Sequence, residues 1–197
     1  MQDIEARELL FDAGKIEADV HRLLATFNLD PHRTYTLNHR AETEDDRQRL
    51  LDFPGSLDHR KNGVKDIRAD EYVAVHPGLT GTYTEEVITQ VRAQSEHPVG
   101  RIRWAALAPK SCYSYHIDAD PVRFHVPIKT HPKRCMFIIS YVVHLLPEEG
   151  RLYAVNVQAP HTAVNAMAQG WRVHLLFDTY DPADPLAHTH MGAFNNA

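Results

Sequence analysis

The chain has 197 residues, a formal net charge of -5 and 43% hydrophobic residues. This length is enough for one well-cored domain, and we interpret residues 1–197 as a single domain. An acidic balance without a block of Lys and Arg argues against nucleic-acid binding. The apolar runs are too short to span a bilayer, and the first residues lack the apolar stretch of a secretory signal. We therefore expect a cytoplasmic protein that binds neither nucleic acid nor membrane.

The cysteine and histidine contents limit which disulfide and metal sites the chain is expected to form. Cys112 and Cys135 are the only two cysteines, too few for a disulfide framework, and we expect both to be reduced. The 14 histidines are an anomaly, and we interpret most of them as ordinary surface or core residues. His188 and His190 lie in a tail rich in Pro, Ala and Asn, where a solvated terminus is a better explanation than a metal site.

The N-terminal part of the chain, residues 1–98, reads as helical and irregular. An apolar stripe of helical period runs from Leu9 to Phe27, is interrupted at Gly14 and ends before Pro31. Residues 31–80 are polar, with a possible strand at 34–37 and a short helix that opens at 43–46 and ends near 53–55. A further helix is better supported, because Thr82 and Glu85 have capping-box spacing before an apolar stripe that stops at Pro98.

From residue 99 to residue 180 the apolar period changes to that of strands. The predicted strands are separated by Pro, Gly and Asp turns and cover residues 101–107, 112–117, 122–128, 134–145, 152–157, 162–164 and 171–177. Short strands at this spacing are typical of a sandwich or barrel rather than of a βαβ sheet. The pattern therefore predicts an α+β fold with a jelly-roll core, preceded by helices and followed by a C-terminal tail at 181–197.

Three residues in the strand region form the donor set of a metal site. His116 and Asp118 have H-x-D spacing, so on a strand their side chains point to the same side, and His161 follows later in the chain. Two imidazoles and one carboxylate on one face of a metal leave positions open for a co-substrate and O2, as in non-haem Fe(II) oxygenases. Arg172 lies in an otherwise apolar strand, where a cation is costly to bury unless it meets an anion.

Four sequence blocks in order make residues 101–178 similar to a known family. They are His116-Ile117-Asp118, R-x-H-x-P-I at 123–128, H-x-x-x-N at 161–165, and R-x-H-L at 172–175. The chain resembles the aspartyl/asparaginyl β-hydroxylase family of Fe(II)/2-oxoglutarate-dependent dioxygenases, which includes bacterial free-proline hydroxylases. Like the family members with a full triad, this chain has the carboxylate, at Asp118.

The resemblance implies a double-stranded β-helix, cupin-like core with the N-terminal helices packed on it. It implies Fe(II) held by His116, Asp118 and His161, and 2-oxoglutarate held by Arg172 with help from Arg123 and His125. The implied reaction uses O2 to hydroxylate an aliphatic C–H while 2-oxoglutarate is decarboxylated to succinate. The substrate stays open between a free amino acid, a peptide side chain and another small molecule, and nothing in the sequence indicates the oligomeric state.

Other classes of function also fit part of the pattern. One is a cupin-like metal-binding protein without oxygenase activity, in which Arg172 would bind no co-substrate. Another is a zinc hydrolase that uses the same three ligands, but the chain offers no Glu or His clearly positioned as its general base. A non-enzymatic interaction protein explains neither the order of the donors nor the apparently buried Arg172. Aromatic side chains at Trp104, Tyr113 and Tyr115 could line a pocket, although packing in the core is the simpler explanation for each.

Overall fold

A computed structural model of the chain describes residues 2–52, 68–118 and 120–183. In these ranges the α-helices are α1 (Ala13–Thr26), α2 (Asp46–Leu51) and α3 (Tyr83–Gln94). The strands are β1 (Ile4–Leu10), β2 (Tyr35–Thr36), β3 (Asn38–Arg40), β4 (Tyr72–Val75), β5 (Val99–Leu107), β6 (Ser111–Cys112), β7 (Arg123–Lys129), β8 (Cys135–Ile139), β9 (Val142–Leu145), β10 (Arg151–Val155), β11 (His161–Asn165) and β12 (Arg172–Thr179).

The helices begin at side-chain caps that the sequence contains. In α1 the Asp12 carboxylate accepts a hydrogen bond from the Lys15 backbone N–H at 3.1 Å. In α3 the Thr82 hydroxyl accepts one from Glu85 N–H at 3.4 Å, and the predicted helix there is confirmed. The short helix predicted to open at 43–46 is α2, which begins after Asp45. Its predicted end near 53–55 lies outside the described residues.

The first helix is shorter than the sequence predicts. Leu9 and Leu10 belong to β1, so the prediction that they start the helical stripe is wrong. The reason is long-range pairing, because β1 lies antiparallel to β10 with Ile4 opposite Val155. No local pattern shows a partner so distant in the chain. The N-terminal part therefore contributes strands to the main sheet as well as helices.

Two antiparallel sheets form the body of the protein. The major sheet has six strands in the order β1-β10-β7-β12-β5-β2, and the minor sheet has four in the order β6-β11-β8-β9. This pair of sheets fits the predicted jelly-roll core. The predicted strand at 134–145 is a hairpin, β8 and β9, because Ser140 and Tyr141 have φ angles of +48° and +68° and form its turn. The predicted strand at 112–117 is mostly extended loop after β6, with a single bridge at His116.

The two faces of the major sheet pack against different partners. One face shares a buried core with the helices, and this core includes Val87 of α3 and Phe177 of β12. The opposite face looks towards the minor sheet, and a second core joins Tyr153 of β10 to Phe137 of β8. Register fixes which other residues lie on this inner face, because His125 is opposite Tyr153. The inner face is where the candidate site lies.

The structure bears on two predictions made from composition, the state of the cysteines and the lack of membrane-spanning segments. Cys112 is exposed, Cys135 is buried, and both are free thiols. None of the helices among the described residues is long and apolar enough to cross a membrane. His188 and His190, which we interpret as part of a solvated tail, lie outside the described residues.

Candidate metal centre

A backbone bridge between two segments brings the predicted donors together. His116 N–H donates to the carbonyl of His161 at 3.0 Å, and His161 N–H donates to the carbonyl of His116 at 2.8 Å. Asp118 N–H donates to the carbonyl of Val157 at 2.9 Å, which fixes the carboxylate beside the two rings. The extended segment after β6 thus lies against the start of β11, which carries His161.

The three side chains converge on one point. The Nε2 atoms of His116 and His161 each lie 3.5 Å from Oδ2 of Asp118. One ligand atom from each residue lies within 4.8 Å of the others. Metal–ligand bonds of about 2.0–2.2 Å place neighbouring donors about 3.0–3.5 Å apart, so the two separations of 3.5 Å suit a transition-metal ion. The donor set also fits Fe(II), which accepts imidazole and carboxylate together.

Hydrogen bonds to the far side of each ring orient the two imidazoles. His116 Nδ1–H donates to the carbonyl of Ser114 at 2.6 Å, and His161 Nδ1–H donates to the carbonyl of Ala159 at 3.0 Å. Each bond accounts for the proton on Nδ1, so in the neutral ring the Nε2 lone pair is directed at the common point, whereas a protonated ring donates from Nε2–H to Asp118. Such outer hydrogen bonds are the usual support of histidine metal ligands.

Asp118 is held as a carboxylate. Burial alone would raise its pKa, but the Arg123 guanidinium and the hydrogen bonds from His116 and His161 outweigh burial and hold the pKa well below its usual range. Arg123 Nη1 lies 2.5 Å from Oδ2 of Asp118. The hydrogen bond to Asp118 in turn raises the pKa of His116. The donor set therefore carries negative charge that a divalent cation would neutralise.

Arg123 is surrounded by carboxylates. Besides Asp118, its Nη2 lies 2.5 Å from Asp120 Oδ2, and its Nε lies 2.7 Å from Asp178 Oδ1. Burial raises the pKa of Asp120 to about 6 despite the opposing effect of Arg123. Arg123 is thus tied to three carboxylates, one of which is a candidate metal ligand. The family resemblance implies that Arg123 helps to hold 2-oxoglutarate, whereas its contacts in the structure are with these acids.

Asp178 extends the charged cluster along the major sheet. Arg101 Nε donates to its Oδ2 at 2.8 Å, and Arg103 Nη2 donates to its Oδ1 at 2.6 Å. Burial would raise the pKa of Asp178, but the nearby guanidinium groups outweigh it and the pKa lies below its usual range. Sequence reasoning missed Asp120 and Asp178. The sequence could have placed Asp178 on the same face as Arg172, because it continues the i, i+2 series along β12.

Arg172 lies on the inner face, at the opposite end of β12 from Asp178. The residue is 4% exposed, and within the ranges 2–52, 68–118 and 120–183 no carboxylate lies at ion-pairing distance from its guanidinium. Burial lowers the pKa of Arg172 to about 10, with a smaller opposing effect from Tyr113. A buried guanidinium without a counter-ion is costly and indicates an anionic ligand.

Two histidines connect Arg172 to the middle of the inner face. Arg172 Nη2 lies 3.4 Å from Nδ1 of His174, and Nδ1 of His174 lies 3.3 Å from Nδ1 of His125. Both rings are buried, and burial together with Arg172 lowers both pKa values well below the usual range. The ring of Phe137 contacts both His125 and the metal-site residue His161. Its centroid lies 5.3 Å from that of each imidazole. The structure thus links His125 to Arg172 through His174, which the sequence gives only as part of the R-x-H-L block and not as a site residue.

The surface next to the donors is aromatic and apolar. Tyr113 is 41% and Ile117 37% exposed, and the rings of Tyr115 and Tyr141 stack with centroids 5.3 Å apart. The interpretation of Trp104 as a core residue is confirmed, since it is 1% exposed and faces the helices. Tyr113 is not packed in the core.

Comparison with known proteins finds similarity only at the level of the fold. No family model and no curated protein matches the chain. Among solved structures, AviO1 from Streptomyces viridochromogenes Tue57 is similar with a TM-score of 0.53 at 13% identity, over 94% of this chain and 92% of that one. At this identity the similarity shows a shared fold alone.

Two further solved structures are similar at lower scores. HygX from Streptomyces hygroscopicus, with nickel and 2-oxoglutarate bound, has a TM-score of 0.48 at 10% identity, over 89% of this chain and 81% of that one. An oxidoreductase of the 2OG-Fe(II) oxygenase family from Burkholderia pseudomallei has a TM-score of 0.49 at 13% identity, over 89% and 83%. The specific family that the sequence motifs resemble is not among these matches.

Proposed function

We propose that the protein is an Fe(II)/2-oxoglutarate-dependent dioxygenase that hydroxylates an aliphatic C–H of an amino acid, a peptide side chain or a related small molecule. The observation that carries the proposal is the convergence of His116, Asp118 and His161 within 4.8 Å. A second observation points to the co-substrate, because Arg172 is a buried cation on the face of the major sheet that looks towards the minor sheet, and it has no carboxylate partner among the described residues.

The residues of the chain have distinct roles in this proposal. His116, Asp118 and His161 hold the metal, and Arg172 binds the distal carboxylate of 2-oxoglutarate through its guanidinium fork. Iron and 2-oxoglutarate together would supply the oxygen activation, with decarboxylation of the co-substrate to succinate. The hydrogen bonds from His116 to Ser114 and from His161 to Ala159 keep both Nε2 lone pairs available.

The contacts of Arg123 support a role next to the metal rather than at the co-substrate. Its guanidinium is tied to Asp118, Asp120 and Asp178, so its donors are already directed at acids. By holding the pKa of Asp118 low and fixing the orientation of its carboxylate, Arg123 would keep the ligand ionised and in place. We therefore propose Arg123 as a positioning residue.

Succinate production tests the proposal directly. The purified protein should form succinate only with both Fe(II) and 2-oxoglutarate, and one member of a panel of amino acids and peptides should increase the rate. His116→Ala and Asp118→Ala should abolish turnover while far-UV circular dichroism stays native. His97→Ala, which changes a histidine outside the candidate site, is the matched control and should keep full activity.

Two results would count against the proposal in different ways. Near-native turnover in Asp118→Ala would remove Asp118 from the metal site. A wild-type protein that binds Fe(II) but shows no turnover and no affinity for 2-oxoglutarate would favour the cupin-like metal-binding alternative.

A further inference from the structure

Arg103 of β5 is a cation on the inner face that has no role in holding the metal or the co-substrate. Ile102 and Trp104, on either side of it, belong to the helix-facing core, so the side chain of Arg103 points to the opposite face. In the register of the major sheet, Arg103 lies opposite Leu176 of β12, which in turn lies opposite His125 of β7. Arg103 therefore borders the space between the two sheets.

Most of the hydrogen-bonding capacity of Arg103 is unused. Its Nη2 donates to Oδ1 of Asp178 at 2.6 Å, and this is its one hydrogen bond within residues 2–52, 68–118 and 120–183. Its Nε has almost no exposed surface and no acceptor, which is unfavourable for a charged donor. Nη1 also has no acceptor in these ranges but keeps some exposed surface, and the side chain as a whole is 18% exposed. The guanidinium can therefore accept a further anionic partner.

The carboxylate that Arg103 contacts is shared by three cations. Asp178 also accepts a hydrogen bond from Arg101 Nε at 2.8 Å. Arg123 Nε lies 2.7 Å from Oδ1 of Asp178, the same oxygen that Arg103 contacts. Burial and the neighbouring guanidinium groups lower the pKa of Arg103, although Asp178 opposes them. Among the described residues, Arg103 thus has only a share of one counter-ion, which leaves its charge poorly compensated.

Charge balance indicates what the loaded site would still lack. The buried cluster contains as many guanidinium groups as carboxylates and is formally neutral: Arg101, Arg103, Arg123, Asp118, Asp120 and Asp178. In the proposed function Fe(II) adds two positive charges and Arg172 adds one, whereas 2-oxoglutarate adds two negative charges. One positive charge then remains in excess. A substrate with one negative charge would neutralise it, which favours an anionic substrate in a site that excludes water.

Arg103 lies at the metal end of the inner face, away from the co-substrate end. Its partner Asp178 is at the end of β12 opposite to Arg172. From Asp178 the contacts continue to Arg123 and then to Asp118, a candidate metal ligand. Only one carboxylate and one guanidinium therefore separate Arg103 from that ligand, a distance that a small molecule can span. An anion at Arg103 would not compete with 2-oxoglutarate for Arg172.

We propose that Arg103 is a specificity-determining residue that binds a carboxylate of the substrate through its guanidinium. The inference rests on the proposed function and deepens it by naming the substrate class, a molecule with a carboxylate of its own besides that of the co-substrate. Two sources share this chemistry, the free α-carboxylate of an amino acid and the side-chain carboxylate of an acidic residue in a peptide. A neutral molecule would leave Arg103 uncompensated.

Calorimetric titration of the protein saturated with Ni(II) and 2-oxoglutarate tests this inference without relying on turnover. The probes are the standard amino acids as free acids, the same amino acids as primary amides, and aspartate and glutamate blocked at both termini. At least one probe with a free carboxylate should bind. Converting that carboxylate to an amide should weaken binding by about 10- to 100-fold, the size of a lost hydrogen bond to a charged group. Binding by free acids alone identifies the α-carboxylate as the source, and binding by the blocked residues identifies the side chain.

Variants of Arg103 assign the effect to this residue. Arg103→Met should weaken binding of the acid by the same factor as amidation does, and should bind the amide as the wild type does. Its affinity for 2-oxoglutarate should stay within about twofold of wild type. Arg103→Lys, which keeps the charge, should recover part of the affinity for the acid. Arg33→Met removes an exposed guanidinium outside the cluster and is the control, with wild-type binding of every probe.

Three results would overturn the inference and leave the proposed function standing. They are equal binding of an acid and its amide by the wild type, no binding by any probe, and unchanged binding of the acid in Arg103→Met. Absence of 2-oxoglutarate binding by the Ni(II)-loaded wild type would overturn the inference and the proposed function together.

Anomalous diffraction from wild-type crystals soaked in sodium bromide does not depend on how well the variants fold. Bromide should bind in contact with the Arg103 guanidinium, and the acid that binds in calorimetry should displace it. An Arg103 guanidinium without bromide, or a bromide that the acid leaves in place, would contradict the inference.

Discussion

The two faces of the major sheet differ sharply although the same strands form both. Towards the helices, alternate residues of β7 and β12 are apolar and belong to the main core: Phe124, Val126, Val173, Leu175 and Phe177. Towards the minor sheet, the residues between them are charged or titratable except Pro127 and Leu176: Arg123, His125, Arg172, His174 and Asp178. Successive side chains of a strand point to opposite faces, so neighbouring residues serve stability and chemistry separately. Substitutions one residue apart should therefore have different kinds of effect.

The largest expected effect is on stability, from the helix-facing side. Phe177→Ala should lower the free energy of unfolding by about 3–5 kcal/mol, because it removes a fully buried ring from the core. Urea denaturation measures the loss. Affinity of the folded fraction for 2-oxoglutarate should stay near wild type, and a loss as great as that of an inner-face variant would show that the two faces are not independent.

On the inner face, Arg172→Met should lower 2-oxoglutarate affinity and leave stability intact. The variant should lose more than about a hundredfold in 2-oxoglutarate affinity, or about 3 kcal/mol, because a desolvated charge-assisted pair is removed. Its unfolding free energy should be unchanged or higher, since the substitution removes a buried cation that has no counter-ion among the described residues. Titrations with Ni(II) and with 2-oxoglutarate separate the two functions. Unchanged co-substrate affinity would move the anion-binding role away from Arg172.

Arg123→Lys separates two possible roles of this inner-face residue, positioning of a metal ligand and binding of 2-oxoglutarate. Lysine keeps the positive charge but loses the fork that reaches Asp118, Asp120 and Asp178 together. We expect Ni(II) affinity to fall by about 10- to 100-fold, as for other residues that orient metal ligands, with 2-oxoglutarate affinity of the metal-saturated protein close to wild type. Selective loss of 2-oxoglutarate affinity would instead support the role that the family resemblance implies for Arg123.

Acid should lower the free energy of unfolding, in part through two histidines of the inner face, and this is the smallest of these effects. His125 and His174 have pKa values well below those of an unfolded chain, about 6.5, so the folded state favours their neutral forms. As the pH falls below about 6.5, the unfolded chain takes up protons that the folded protein does not, and stability falls. Each histidine contributes up to about 1.4 kcal/mol per pH unit.

Unfolding in urea between about pH 7 and 5.5 measures this dependence. His174→Phe should have a shallower slope than wild type, because one of the two groups is gone. His21 and His76, whose pKa values are also lowered by burial, remain in both proteins and cancel in the difference. Identical slopes would mean that His174 is not held neutral.

Local patterns in the sequence predict part of this arrangement. The cap at Thr82 and the apolar stripe after it predict α3, and the H-x-D spacing predicts that His116 and Asp118 share a side. Alternation along β12 places Arg172 on a face different from that of Val173. Each of these features depends on residues close together in the chain.

The remaining features depend on contacts between distant segments. Leu9 and Leu10 fit a helical period, but pairing with β10 places them in a strand. The partners of Arg123 include Asp178, which lies 55 positions further along the sequence and meets it only because β7 and β12 are adjacent. The contacts of His174 with Arg172 and His125 likewise depend on how the side chains pack on the inner face, which no sequence pattern contains.

The most direct test of the central claim is an anaerobic titration of 2-oxoglutarate into the Fe(II)-loaded protein, followed by visible absorption. We expect a weak charge-transfer band that appears only when metal and co-substrate are both present and saturates at one equivalent. The band should be absent in Asp118→Ala and should require much more 2-oxoglutarate in Arg172→Met. Stoichiometric Fe(II) binding by the wild-type protein with no band and no heat of 2-oxoglutarate binding would show that the site does not bind 2-oxoglutarate.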